Sequence, residues 1–269
     1  EGLIVLDHVD RHRLLDGEAR HRNLGVGSQV YRLAIEFEAH VCRIADDERE
    51  RRPALDVARG TGTIDARTVT RYAAVSLAVL LIAAALLDPL ALALAPVAVL
   101  FLVGYSYTKR FTVLAHWVLG FTDALAVGGG WIAVRGTFFT PDDLPAWLLI
   151  AAVMFWIAGF DLIYACQDVE HDRAEGLHAW PARHGVASAL GLARLNHVAF
   201  LLFLLLAGLA LDMAWPYYAA AAITALLLVY EHRLVSPDDL SRVNVAFFNM
   251  NSIIAVTLLI GALLAVAIA

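Results

Sequence analysis

Residues 146–172 read AWLLIAAVMFWIAGFDLIYACQDVEHD. From Ala146 to Gln167 the only charged residue is Asp161. A helix of about 20 apolar residues is what a bilayer's hydrocarbon core demands. The run then ends abruptly in Asp168-Val169-Glu170-His171-Asp172, three acids in five residues. The stretch therefore predicts a transmembrane helix with an acidic segment at one end, and it sets the reading of the whole chain.

Working outward, the same texture recurs. The 269-residue chain is 60% hydrophobic and 17% charged, with a mean hydropathy of +0.68. An ordinary water-soluble domain is far less apolar. Seven apolar runs are predicted to cross the membrane, at about 72–87, 91–107, 113–134, 146–167, 187–211, 214–231 and 244–268. Asp88-Pro89, Lys109-Arg110, the Thr137–Pro145 loop, the 168–185 loop, Asp212 and the Glu231–Arg242 loop separate them. The expected fold is all-α, a polytopic transmembrane helical bundle. Alternating the runs across a bilayer puts Lys109, Arg110, Arg173, Arg183, Arg233 and Arg242 on one face and Arg135 on the other. Cytoplasmic loops carry the excess of Lys and Arg, so the loops holding Lys109, Asp168 and Arg233 are predicted to be cytoplasmic.

Residues 1–71 differ from the 72–269 body. They hold half of the 26 Asp+Glu and more than half of the 20 Lys+Arg. Within them Leu24–Ala45 reads as a peripheral helix, or one packed against others, because Arg32, Glu36, Glu38 and His40 would be costly in lipid. Acids interrupt each apolar run from Glu1 to Asp16, so no signal-peptide pattern is expected there. The cysteines, Cys42 and Cys166, form no disulfide or metal-knuckle pattern.

The chemistry concentrates around the acidic segment. Asp161, Tyr164, Asp168 and Asp172 are spaced by three, four and four, which on one continuous helix aligns them along a single face. Carboxylates a turn apart repel unless a cation lies between them. The natural occupant is a hard divalent ion such as Mg²⁺, which keeps positions open for substrate phosphates. Acids at a helix end that simply face water are the competing reading. An ionisable residue inside a membrane helix, as Asp161 is, marks a functional position. Asp123 is a similar cavity candidate, and the adjacent Gly128-Gly129-Gly130 is predicted to serve close helix packing. His171, His178 and His184 have no metal-ligand spacing.

The longer run Tyr164-x-x-x-Asp168-x-x-x-Asp172-Arg173-x-x-Gly176-x-x-x-x-Pro181-x-Arg183-x-Gly185 resembles the second aspartate-rich motif of the UbiA superfamily of intramembrane aromatic prenyltransferases. The wording is closest to its 4-hydroxybenzoate polyprenyltransferase-like and menaquinone-type branch. Tyr105-Ser106-Tyr107-Thr108-Lys109-Arg110 resembles that family's Tyr/Lys/Arg loop, and the segment from Asn244 through Asn249 to Asn251 resembles its last helix. The resemblance covers about residues 61–269. Asp46 and Glu50 resemble the acidic positions of the family's first motif, although Cys42 stands where that motif has Asn and a preceding helical run is missing. The family has nine helices against the seven clear runs here.

The resemblance implies Mg²⁺-dependent transfer of a polyprenyl group from its diphosphate to an aromatic acid, of 4-hydroxybenzoate or dihydroxynaphthoate type, in ubiquinone or menaquinone biosynthesis. Asp168 and Asp172, with Asp46 and Glu50, would hold the metal. Lys109, Arg110 and Arg183 would contact diphosphate, and Tyr105, Tyr164, Asp161 and Asn249 would border the substrates. The expected surroundings are the two substrates and the lipid bilayer, with no nucleic acid. A glycerol ether lipid, a chlorin or a haem as acceptor, or an inactive prenyl-lipid-binding homologue, are the rival readings.

Overall fold

The computed structural model describes residues 66–269. The chain divides into two compact units, Glu1–Val75 and Ser76–Ala269. Asp46 and Glu50 lie outside the described residues, and so does the predicted Leu24–Ala45 helix. Among the described residues there is no strand. Seven long helices appear: α1 (Ala66–Leu87), α2 (Pro89–Thr108), α3 (Ala115–Arg135), α4 (Leu144–Tyr164), α7 (Val186–Ala210), α8 (Trp215–Leu234) and α9 (Asn251–Ile268). Two short ones, α5 (Val169–Ala174) and α6 (Trp180–His184), fill the loop after α4. Most long helices match the predicted runs to within about three residues; α1 begins earlier, at Ala66 against the predicted 72, and the run at 244–268 is divided between a π-helical turn, Val245–Met250, and α9. Among the described residues six spans are long and apolar enough to cross a membrane; α8 falls outside that set.

Local chemistry sets the ends. The Asp88 carboxylate accepts the Leu90 N–H at 2.7 Å, and Pro89 opens α2 where its missing donor has no consequence. The turn before α4 closes on Asp143, which is fully buried. Its carboxylate accepts Trp131 Nε1 at 2.8 Å, Thr137 Oγ1 at 2.8 Å and the Thr140 N–H at 2.9 Å. A charge buried in this way is tolerable because it is fully hydrogen-bonded.

Helix α4 is the centre of the Ser76–Ala269 unit, packing along α3 on one side and α7 on the other, while α8 packs against α7 and α9. In lipid the drive for helix association comes from close van der Waals fit, so small residues mark the tightest crossings. A Cβ on Gly120 would meet the Met154 carbonyl, and one on Gly159 would meet the His197 ring. Of the predicted glycine triplet only Gly128 packs, against Phe138 and Ile150; Gly129 and Gly130 face open space. Leu100, Leu195 and Leu263 are exposed apolar side chains, as expected of faces turned to acyl chains.

Candidate active site

The acidic segment does not continue α4. The α-geometry stops at Tyr164, a 3-10 turn covers Ala165–Gln167, and α5 begins at Val169. A 3-10 turn has three residues per turn instead of 3.6, so the single stripe expected of Asp161, Tyr164, Asp168 and Asp172 is broken. What survives is the pair. The Asp172 N–H donates to the Asp168 carbonyl at 2.7 Å, and this helical turn places both carboxylates on one side.

The glycines of the motif have backbone work. Gly176 sits at φ +68°, just past the end of α5. Its N–H donates to Arg173 O at 3.2 Å and the Leu177 N–H to Asp172 O at 2.7 Å. That double bond is the Schellman arrangement, and it requires a left-handed residue. Gly185, at φ +85° and ψ 158°, joins α6 to α7 in a conformation open essentially to glycine alone. Arg173 donates from Nε to Ala182 O at 3.0 Å, so this arginine ties α5 to α6.

Two separate loops converge here. The His178 N–H donates to the Lys109 carbonyl at 2.6 Å, and Lys109 Nζ lies 3.7 Å from Asp172 Oδ2. Asp172 is buried, and its Oδ2 has no hydrogen-bond partner. Asp168 is half-buried. A buried carboxylate oxygen with only a loosely placed ammonium nearby carries unused capacity for a cation.

The other sequence candidates are distributed around this core. Tyr105 is half-buried on α2, and Arg110 is exposed with its guanidinium 5.5 Å from the Tyr107 ring. Arg183 is exposed on α6 and makes no ion pair with Asp168 or Asp172. Tyr164 packs its ring against Phe247, 4.4 Å between centroids, and Phe160 meets the same ring at 5.1 Å. Phe247 belongs to a π-helical turn, Val245–Met250, that opens the last span; such turns are frequent at functional sites. Asn249 on this turn is exposed. Asn251 instead accepts Trp156 Nε1 at 3.0 Å, an interhelical bond. Asp123 is exposed on α3. Asp161 meets a partner that sequence reasoning passed over: His116 Nδ1, 2.6 Å from Asp161 Oδ2. The rule that singled out Asp161, an ionisable residue inside an apolar helix, applies equally to His116.

Six long apolar helices among the described residues, with Lys109 and Asp172 brought together where two of their connecting loops meet, define the class: an integral multi-pass membrane protein. Within that class, residues 43–253 match the UbiA prenyltransferase family, and the chain belongs to it. The match takes in Asp46 and Glu50. The chain is 28% identical over 172 residues to a 4-hydroxybenzoate octaprenyltransferase of Methylobacillus flagellatus, covering 61% of this chain and 54% of that one. It is 34% identical over 137 residues to the mitochondrial 4-hydroxybenzoate polyprenyltransferase of Caenorhabditis elegans, covering 51% and 37%. The chain thus spans about half the length, or less, of these curated relatives. Among solved structures, the apo form of a UbiA homologue from Aeropyrum pernix K1 superposes with a TM-score of 0.68 at 29% identity, covering 76% of this chain and 74% of that one.

Proposed function

We propose that the protein transfers a polyprenyl group from its diphosphate to an aromatic acid of the 4-hydroxybenzoate type. The observation that carries this reading is the convergence of Lys109 and buried Asp172 where the motif loop meets the α2–α3 loop. Family membership and the names of the relatives support it.

The residues divide the chemistry. The allylic C–O bond of the prenyl diphosphate breaks with its electron pair leaving on the diphosphate, and a ring carbon of the acceptor attacks the allylic carbon and then loses its proton. Lys109, with Arg110 and Arg183 from neighbouring positions, neutralises the departing oxygens. Tyr164, Phe160 and Phe247 present π-faces to the developing allylic cation and keep water away from it. Tyr105, Asp161 and Asn249 border the substrates in this reading.

Mg²⁺ fits the donor set: hard carboxylate oxygens, one of them buried and unpartnered. Mg²⁺ characteristically takes several of its ligands from water and substrate phosphates. Asp168 and Asp172 would hold it; Asp46 and Glu50, outside the described residues, are the counterparts of the family's first acidic motif. When bound, the ion supplies charge stabilisation to the leaving diphosphate. The loops carrying this site belong to the cytoplasmic face in this reading, following the excess of Lys and Arg there.

Purified protein, radiolabelled polyprenyl diphosphate, Mg²⁺ and a panel of aromatic acids test the proposal. Labelled prenylated acid is expected. Retained prenyl diphosphate with no transfer to any acid would overturn the reading.

A further inference from the structure

His116 belongs to none of the motifs, yet it joins the interior of the bundle to the motif loop. It lies in the first turn of α3 and is fully buried. On one side its Nδ1 is 2.6 Å from Asp161 Oδ2, on α4. On the other, the Trp180 backbone N–H donates to its Nε2 at 3.2 Å. A backbone N–H can only donate, so Nε2 carries a lone pair. The ring proton therefore sits on Nδ1 and is donated to Asp161. The bond network thus assigns both tautomer and charge state.

The contact falls at a sensitive place. Trp180 opens α6, and first-turn N–H groups have no partner within their own helix. Pro181, next in sequence, has no N–H to offer. Trp180 is also held through its indole, which donates to Ser188 Oγ at 3.1 Å and meets the Trp117 ring edge-on at 6.0 Å. Two residues upstream, the His178 N–H holds the Lys109 carbonyl. One more residue back, the Leu177 N–H donates to the Asp172 carbonyl across the turn that closes α5. A line of bonded groups runs from Asp161, inside the membrane helix, through His116 to the loop on which Lys109 and Asp172 meet.

We infer that His116 is a positioning residue: as the neutral Nδ1–H tautomer, oriented by Asp161, it anchors the start of α6 and so fixes the loop that presents Asp172 to the diphosphate. The inference rests on the reading under Proposed function for its effect on substrate, but its structural content can be measured without turnover.

The test uses the full chain in lipid nanodiscs. A ¹⁵N-histidine spectrum of the unaltered protein is expected to contain one ring with a protonated Nδ1 and an unprotonated Nε2, absent from H116F and H116Q. Finding instead that the signal lost on substitution is an Nε2–H tautomer or an imidazolium would overturn the inference. Amide exchange across 177–184 is expected to accelerate at least about tenfold in H116F and to return toward the unaltered rate in H116Q, whose side-chain oxygen can accept the Trp180 N–H. Should H116F not fold, the spectrum of the unaltered protein still decides the tautomer, and accelerated exchange is sought in H116A against H116Q. In turnover assays H116F is expected to raise KM for prenyl diphosphate about tenfold, with kcat little changed. Unaltered exchange across 177–184 in the variant that lacks an acceptor, or a loss there confined to kcat, would sink the positioning role. If no acceptor is prenylated by any form, the proposed function fails, while the spectrum and the exchange still decide His116.

Discussion

Asp172 is the residue on which the candidate site turns. Its carboxylate is buried, has one oxygen without a hydrogen bond, and faces Lys109 at 3.7 Å. An acid so placed is costly unless a cation completes it. D172N keeps the shape and removes the charge, and is expected to abolish prenyl transfer while leaving the helical circular-dichroism spectrum unchanged. K109M removes a cation that this reading places on the diphosphate. A charge-assisted hydrogen bond contributes about 1.5–3 kcal/mol, so KM for the diphosphate should rise roughly tenfold to a hundredfold in steady-state assays.

At the level of the elements, the loop from Val169 to Gly185 is a chain of short pieces locked by backbone bonds. Gly176 is its hinge point, because a residue with a side chain at φ +68° is strained. G176A is expected to destabilise the loop by about 1 kcal/mol, seen as faster amide exchange over 172–178 with little change elsewhere. Within the bundle, G159A pushes a methyl group into the His197 ring on α7. Overpacking of this kind costs about 1–3 kcal/mol, and a lowered midpoint in detergent thermal unfolding would record it. The spacing in the sequence showed that Asp168 and Asp172 share a turn. It could not show the 3-10 break after Tyr164, since nothing in Ala165-Cys166-Gln167 disfavours α-helix and the packing of the loop decides it.

For the whole molecule, the contacts between the α2–α3 loop and the motif loop require both at one end of the bundle, and the Val235–Val243 stretch packs into the same core cluster as Cys166 and Leu190. Asp88 and Gly136 lie close together at another point, where their loops adjoin. Single cysteines replacing exposed Glu175 and Asp238 are therefore expected to react with a membrane-impermeant maleimide from the same side. A cysteine at Asp142 should react from the opposite side. Labelling of all three from one side would contradict the alternating path of the helices and the cytoplasmic placement that rests on it.

The long helices were legible in the sequence because the bilayer imposes a length and an apolarity that local composition alone must satisfy. The spacing of the acidic pair was legible from helical periodicity, and Gly176 and Gly185 were marked only by the family resemblance; the left-handed backbone that each supplies came with the structure. The side-chain partners were not legible. His116 with Asp161, Trp156 with Asn251 and Lys109 with Asp172 are separated by 45, 95 and 63 positions. Bonds across such distances depend on which helix packs beside which. In a chain whose helix faces are nearly all apolar, hydrophobic pattern says little about that order, and close packing at a few small residues decides it.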